Sequence, residues 1–176
     1  GKVPLYVAKT RAGYMWASER KAFPRGITPM PVPPGYAFDL VKGQWHRWYT
    51  MPKPAALPPP RIIELLRAGV AKRLQADAPI CCLISGGIDS SIILALCRER
   101  RPDVVAFTAV YNQRSADLQS AVRLCSEMGV KLIRVPVSPD DAAVSAAIRA
   151  IEIPSKAQIE IATLCLPLAR RIYAEG

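Results

Sequence analysis

One histidine, three phenylalanines and an odd number of cysteines, five in 176 residues, exclude several chemistries at the outset. With His46 alone, neither a zinc site nor a catalytic triad that needs several histidines can be assembled. The cysteines (Cys81, Cys82, Cys97, Cys125 and Cys165) show no C-x-x-C spacing, which speaks against a disulfide framework or a zinc ribbon. They read as small buried hydrophobes, with a redox role for the adjacent Cys81 and Cys82 as the alternative. No stretch approaches the roughly 18–20 uninterrupted apolar residues that a membrane span requires. The opening GKVPLYVAKTR carries no signal-peptide apolar run, so the expected compartment is the cytoplasm. A composition of 51% hydrophobic and 22% charged residues is that of a globular chain and excludes disorder for most of it.

Charge and proline are unevenly spread. The net charge is +10, and residues 1–60 hold nine Lys/Arg against Glu19 and Asp39, together with 11 of the 17 prolines. Composition therefore changes near residue 60, giving an expected division into 1–60 and 61–176. A basic segment containing Trp45, Trp48 and Tyr49 could contact nucleic acid through phosphates and stacked bases. A solvated linker or interface is the reading preferred here.

Beyond residue 60 the pattern becomes regular. Pro60 begins a helix with apolar Ile62, Ile63, Leu65, Leu66, Val70 and Leu74 on one side, running to about Gln75. A strand over Ala78–Ile84 follows, then a glycine pair, a helix carrying Ile92, Ile93 and Leu96, and a strand over Val104–Val110. The next helix carries Leu118, Val122, Cys125 and Met128 and stops at Gly129, giving way to a strand over Val130–Val137. Ser138 is expected to cap a helix whose first position is Pro139, with Asp140 and Asp141 complementing the macrodipole. A last helix spans about Ala157–Tyr173, with a kink or boundary at Pro167. Alternating strands and helices predict a parallel, helix-covered α/β sheet.

The most informative segment is Ser85-Gly86-Gly87-Ile88-Asp89-Ser90-Ser91, set between a buried strand and a helix. Glycines permit a tight turn and close backbone approach, while unpaired N–H groups and the helix dipole favour an anion. Asp89 would repel a bare phosphate, which points to a divalent cation bridging carboxylate and phosphate oxygens. Neither G-x-x-x-x-G-K-[ST] nor G-x-G-x-x-G occurs, so the common kinase and dehydrogenase loops are excluded. A plain capped turn is the alternative.

SGGIDSS resembles the SGGxDS pyrophosphate loop of the ATP pyrophosphatase (PP-loop) superfamily. Residues 64–96 and the segment Ser115–Ala121 resemble glutamine-hydrolysing asparagine synthetases. PLYVAKTRAGYMWASERKAF and VPPGYAFDL resemble the closing strands of that family's N-terminal, Ntn-type glutaminase domain. The resemblance implies an adenine nucleotide alpha-hydrolase-like (PP-loop) domain, incomplete over 61–176, after a glutaminase remnant and proline-rich linker over 1–60. It implies an ATP-dependent carbon–nitrogen ligase that adenylates a small carboxylate such as aspartate, releases pyrophosphate and passes the acyl group to ammonia. ATP and Mg2+ are the implied cofactors. Ser85, Gly86, Gly87, Ile88, Asp89 and Ser90 would hold the pyrophosphate, backbone groups of Leu83, Ile84 and Val110 would flank the adenosine, and Asp89 would ligate magnesium. Ala109 is the alternate to Val110. Glu152 occupies the position of an acidic residue near the substrate, or is a solvated helix-end carboxylate. Glu160 stands where some asparagine synthetases carry arginine, which counts against aspartate.

The N-terminal cysteine of the family's glutaminase and its acidic SGE-G-x-DE loop do not occur in this sequence. The expectation is therefore a fragment or subunit, weakly active or inactive alone, completed by an ammonia source or glutaminase and a complementary polypeptide. Alternatives are a β-lactam synthetase or lasso-peptide cyclase with an internal amine, a PP-loop enzyme acting on tRNA, and a non-catalytic scaffold.

Overall fold

The structure, a computed structural model, describes residues 3–53, 56, 58–153 and 155–175. It divides into two units, residues 1–56 and 57–176.

In the first unit, Tyr6–Thr10 (β1) and Gly13–Ala17 (β2) form an antiparallel hairpin, and Met30–Pro31 (β3) pairs with the other edge of β1. Thr10 closes the turn: its hydroxyl donates to the Gly13 carbonyl at 3.0 Å and accepts from the Ala12 N–H at 3.2 Å. A second hairpin joins Tyr36–Asp39 (β4) to Gln44–Arg47 (β5). The Asp39 carboxylate accepts the N–H groups of Val41 and Lys42, each at 2.9 Å, the local bonding that favours Asp in turns. Phe38 ties the two hairpins together, its ring centroid 5.0, 5.9 and 4.8 Å from those of Tyr14, Trp16 and Trp45. Two of the three tryptophans thus stack within the protein rather than offering open platforms for bases. Trp48 remains 69% exposed.

The second unit opens with helix Pro59–Arg73 (α1) and continues Cys81–Leu83 (β6), Ile88–Arg100 (α2), Val105–Val110 (β7), Ala116–Glu127 (α3), Leu132–Pro136 (β8), Asp141–Ile151 (α4) and Lys156–Glu175 (α5). The strands lie in the order β6-β7-β8, all parallel. This is the helix-covered α/β sheet read from the alternation of elements. Side chains two apart share a face. Cys82, Ile84 and Ala106 pack with Val70, Leu94, Cys97, Ala121 and Cys125 of α1–α3, whereas Phe107 and Val135 pack with Leu168 of α5 on the other face.

Several boundaries differ from the sequence expectation. β6 has three residues rather than seven. Pro79 has no N–H to give a ladder, and pairing with β7 begins only at Cys81↔Val105. Helix α4 is capped not by Ser138 but by Asp140, whose carboxylate accepts the Ala143 N–H at 2.7 Å. A charged acceptor outcompetes a hydroxyl there, and the Asp140 N–H donates instead to the Ser138 carbonyl at 3.0 Å. Helix α5 runs unbroken through Pro167. One missing backbone bond is outweighed by the seating of Leu168 against Phe107 and Val135, since packing supplies most helix stability in a protein.

Helix α1 also differs. Ile62, Ile63, Leu65 and Leu66 are 37–47% exposed, and Val70 is its buried residue. Its apolar side is therefore largely uncovered in its first two turns. That face lies beside an unprotected strand: β6 pairs with β7 alone among the described residues and carries neither charge nor proline. The opposite edge, β8, carries both in Arg134 and Pro136, the usual devices that prevent further pairing.

Ser115 caps α3, its hydroxyl accepting the Leu118 N–H at 3.2 Å. Ser115→Ala is expected to lower stability by about 1 kcal/mol, read as a reduced urea midpoint with unchanged slope. Cys82, Cys97 and Cys125 are buried and free. Burial, first, then a hydrogen bond with Cys97 and repulsion from Cys97 and Cys81, pushes the Cys82 thiol from 9.0 up to about 12. The stability gained by keeping that thiol neutral is complete below pH 9 and is lost as pH rises toward 12, because the unfolded chain releases its proton first. Iodoacetamide at pH 8 is therefore expected to leave Cys82 unmodified until the chain is unfolded; rapid native-state labelling at that residue would contradict this burial. Among the described residues no helix is long and apolar enough to cross a membrane.

Candidate functional site

The loop after β6 is shaped by its serines. The Ser90 hydroxyl accepts the Ser85 N–H at 3.2 Å and donates to the Gly87 carbonyl at 3.1 Å, and it lies 3.0 Å from the Ser85 hydroxyl. The Ser91 hydroxyl donates to the same Gly87 carbonyl at 2.7 Å, beside the first intrahelical bond of α2, from the Ser91 N–H at 3.2 Å. These contacts fold the loop back over the first turn of α2. Gly86 adopts φ +86°, a region open to glycine and costly for other residues.

Gly86 is also where the loop meets α3. A side-chain carbon at Gly86 would overlap the Asp117 carbonyl oxygen and lie 2.8 and 3.0 Å from the Asp117 carbonyl carbon and Cα. By contrast, Gly87 has φ −80°, and a carbon added there would find only the Ser85 hydroxyl, at 3.5 Å.

The start of α2 has no side-chain cap. Its N-cap is Gly87, with no side-chain hydrogen bond, whereas α3 and α4 are capped by Ser115 and Asp140. The N–H groups of Ile88, Asp89 and Ser90 precede the first intrahelical bond. They concentrate positive potential at one point, the arrangement that receives an anion. Asp89 is exposed within this first turn.

A cavity of about 400 Å³ lies beside the loop at the carboxyl ends of β6 and β7. Leu83, Ile84, Ser85 and Ser90 line it, together with Ala109. Val110 does not. It is 5% exposed, and its carbonyl accepts the Val137 N–H at 3.0 Å. A strand's alternation places the alternate, Ala109, on the cavity side. The Ile84 N–H donates to the Phe107 carbonyl at 2.9 Å.

Gly86, Gly87, Ile88 and Asp89 stand at the loop but are not among the cavity's lining residues. Nor is Glu152, which ends α4 with φ +55°, its N–H donating to the Ile148 carbonyl at 3.0 Å. Thr108, Asn112, Ser115 and Asp117 also line the cavity and were not read as site residues. Thr108 left a signal, a polar residue within the apolar run Val104–Val110 that proves 4% exposed. Ser115 and Asp117 left another, since both lie in the segment Ser115–Ala121 that resembles asparagine synthetases, and Asp117 is also the residue that Gly86 meets.

Among the described residues no group of three or more His, Cys, Asp or Glu side chains could hold a metal ion. A lone exposed carboxylate at an anion-receiving helix end suits Mg2+ carried in by phosphate oxygens, since that ion is commonly bound by one or two carboxylates plus substrate.

Comparisons with known proteins give the family of the second unit. Asparagine synthetase [glutamine-hydrolyzing] 2 of Arabidopsis thaliana is 35% identical over 104 residues, covering 54% of this chain and 18% of that protein. The Zea mays asparagine synthetase [glutamine-hydrolyzing] is 34% identical over 107 residues, again 54% and 18%. The chain thus spans about a fifth of the length of the curated relatives it matches. Among solved structures, the NH3-dependent NAD synthetase from Campylobacter jejuni superposes with a TM-score of 0.47 at 19% identity, covering 65% of this chain and 50% of that one. The family model described as asparagine synthase matches residues 61–172, more than half of the chain, which therefore belongs to the asparagine synthase family.

Proposed function

We propose that the unit 57–176 binds magnesium ATP at the Ser85–Ser90 loop and serves in ATP-dependent amide formation of the asparagine synthetase type. The observation that carries this reading is the uncapped start of α2 behind a glycine turn, beside a cavity at the carboxyl ends of two parallel strands that Ser85 and Ser90 line. In open α/β sheets that end is where ligands bind.

In the proposed reaction a carboxylate oxygen attacks the α-phosphorus of ATP. The bond to the bridging oxygen breaks, and pyrophosphate leaves with the electron pair. Ammonia then attacks the acyl carbon, AMP departs, and the nitrogen loses a proton. The N–H groups of Ile88, Asp89 and Ser90 receive the growing negative charge on the leaving group, an electrostatic contribution fixed in advance by the fold. The hydroxyls of Ser85 and Ser90 can turn from each other toward phosphate oxygens. Leu83, Ile84 and Ala109 flank the adenosine. Asp89 would hold Mg2+, which neutralises charge on the phosphates when bound. Glu152 remains a proposed acidic residue toward the acyl substrate, acting at a distance from the cavity walls.

The proposed setting is the cytoplasm, with ammonia supplied by a glutaminase or another source and further polypeptide completing the site. Residues 1–60 are proposed as the closing part of a glutaminase-type domain and its linker. The test is calorimetric titration of the whole chain with magnesium ATP, followed by ATP turnover and product analysis with and without a completing polypeptide. Nucleotide binding with little turnover alone, and amide formation when completed, is the expected result. Strong turnover by the chain alone would refute the need for completion, and no nucleotide binding in either state would refute the reading itself.

A further inference from the structure

We propose that the Thr108 hydroxyl donates a hydrogen bond to a phosphate oxygen of the nucleotide held at this loop. This rests on the ATP-binding reading above and adds a phosphate-holding residue from outside the loop, on β7.

Thr108 and Thr163 are the two buried polar side chains among the described residues, 4% and 5% exposed. Thr163 is satisfied within its own helix, its hydroxyl donating to the Ile159 carbonyl at 2.8 Å. The Thr108 hydroxyl has no hydrogen-bond partner among the described residues. Nor is it closed off, since Arg98 Nε is the one fully enclosed side-chain polar atom without a partner among them. Thr108 lines the cavity beside the loop, so the cavity is where the bond that a buried hydroxyl requires is made. The serine hydroxyls around it are bonded within the protein: Ser85 and Ser90 lie 3.0 Å apart, and Ser115 accepts the Leu118 N–H. Packing does not account for the oxygen, because valine has the same branched shape and suits a strand as well.

Position on the sheet selects the phosphate end of the nucleotide. The ladder sets Leu83 opposite Phe107, so Thr108 comes level with Ile84, where the loop departs from β6. Alternation places Thr108 with Ala106 on the face covered by α1–α3, and Ala109 with Phe107 on the face covered by α5. The cavity crosses the strand ends and meets both faces, with Leu118 of α3 and Leu168 of α5 among its walls. The uncapped start of α2 lies on the face of Thr108, and the proposed adenosine neighbour Ala109 on the other. A phosphate oxygen there can only accept, and a threonine hydroxyl can donate.

The test titrates the whole chain calorimetrically with magnesium pyrophosphate, a non-hydrolysable magnesium ATP analogue and adenosine, as wild type, Thr108→Val and Thr108→Ser. Thr108→Val is expected to weaken pyrophosphate and the analogue about tenfold, the worth of one hydrogen bond to a charged group, and to leave adenosine unchanged. Its ligand-free thermal midpoint is expected to hold or rise, since an unpaired, nearly buried hydroxyl gives way to a methyl group. Thr108→Ser keeps the hydroxyl and is expected to keep the affinity for pyrophosphate and the analogue. A loss confined to adenosine, or equal losses in the two variants, overturns the inference. So does a midpoint lowered by Thr108→Val, which would show the hydroxyl to be bonded within the protein. If pyrophosphate and the analogue bind wild type and Thr108→Val equally, this inference falls alone. If neither binds wild type, the ATP-binding reading falls and this one with it.

Discussion

Asp89→Ala is expected to lower carboxylate adenylation by about 10²–10³-fold while weakening nucleotide binding by no more than about tenfold. Asp89 is exposed in the first turn of α2, so its removal leaves no cavity. The structural cost is limited to one favourable carboxylate at a helix start, about 0.3–1 kcal/mol. The catalytic cost is larger because the carboxylate sits among N–H groups that attract phosphate. Without a cation between them, carboxylate and phosphate repel, and the loop loses its means of neutralising the departing pyrophosphate. Two measurements separate these effects. Pyrophosphate exchange in the completed enzyme reads the chemical step. On the chain alone, the stimulation of ATP binding by Mg2+ should disappear in Asp89→Ala and persist in Asp89→Glu. Unchanged exchange in Asp89→Ala would remove Asp89 from the mechanism.

Gly86→Ala should be the most damaging single methyl group in the loop. The left-handed backbone conformation costs about 1–2 kcal/mol for a non-glycine residue, and overpacking adds about 1–3 kcal/mol. The atoms met are backbone, the Asp117 carbonyl and Cα, in the first turn of a helix fixed by the Ser115 cap. They cannot yield as a flexible side-chain tip would. The loop must move away from α3 instead, taking the Ser85 and Ser90 hydroxyls with it. A reduced denaturation midpoint and a loss of magnesium ATP affinity of about 10–10²-fold are expected. Gly87→Ala is the control: its backbone is ordinary and its surroundings open, so a change under about 1 kcal/mol is expected. Equal effects at the two positions would mean that the contact with α3 does not set the loop's shape.

These two glycines show how far the sequence could be read. Their position between strand and helix marks a candidate anion loop, because turn chemistry and hydrophobic runs are local properties. The difference between them depends on α3, thirty residues further on, and is invisible until the chain folds. The same limit explains Val110 and Ala109. Alternation turns the side chain of one toward the crevice and of the other toward the core, and which is which follows from the strand's pairing in the fold. Helix α1 was legible as amphipathic, yet its exposed Ile62, Ile63, Leu65 and Leu66 show that an apolar stripe does not name what covers it. Asp140 displaced Ser138 as a cap through a choice between neighbouring acceptors, the kind of short-range competition that blurs element ends. Glu152 kept its place at a helix end, but its φ of +55° is a backbone property that no residue pattern announced.

The two flanks of the three-stranded sheet have different consequences for handling the protein. Arg134 and Pro136 terminate growth on one side, while Cys81, Cys82 and Leu83 leave the other side open to recruitment. Ladder formation can therefore proceed in one direction only, and a concentrated stock is prone to stick to itself along that line. Dilute titrations, with light scattering recorded alongside, would separate true ligand saturation from the slow loss of monomer.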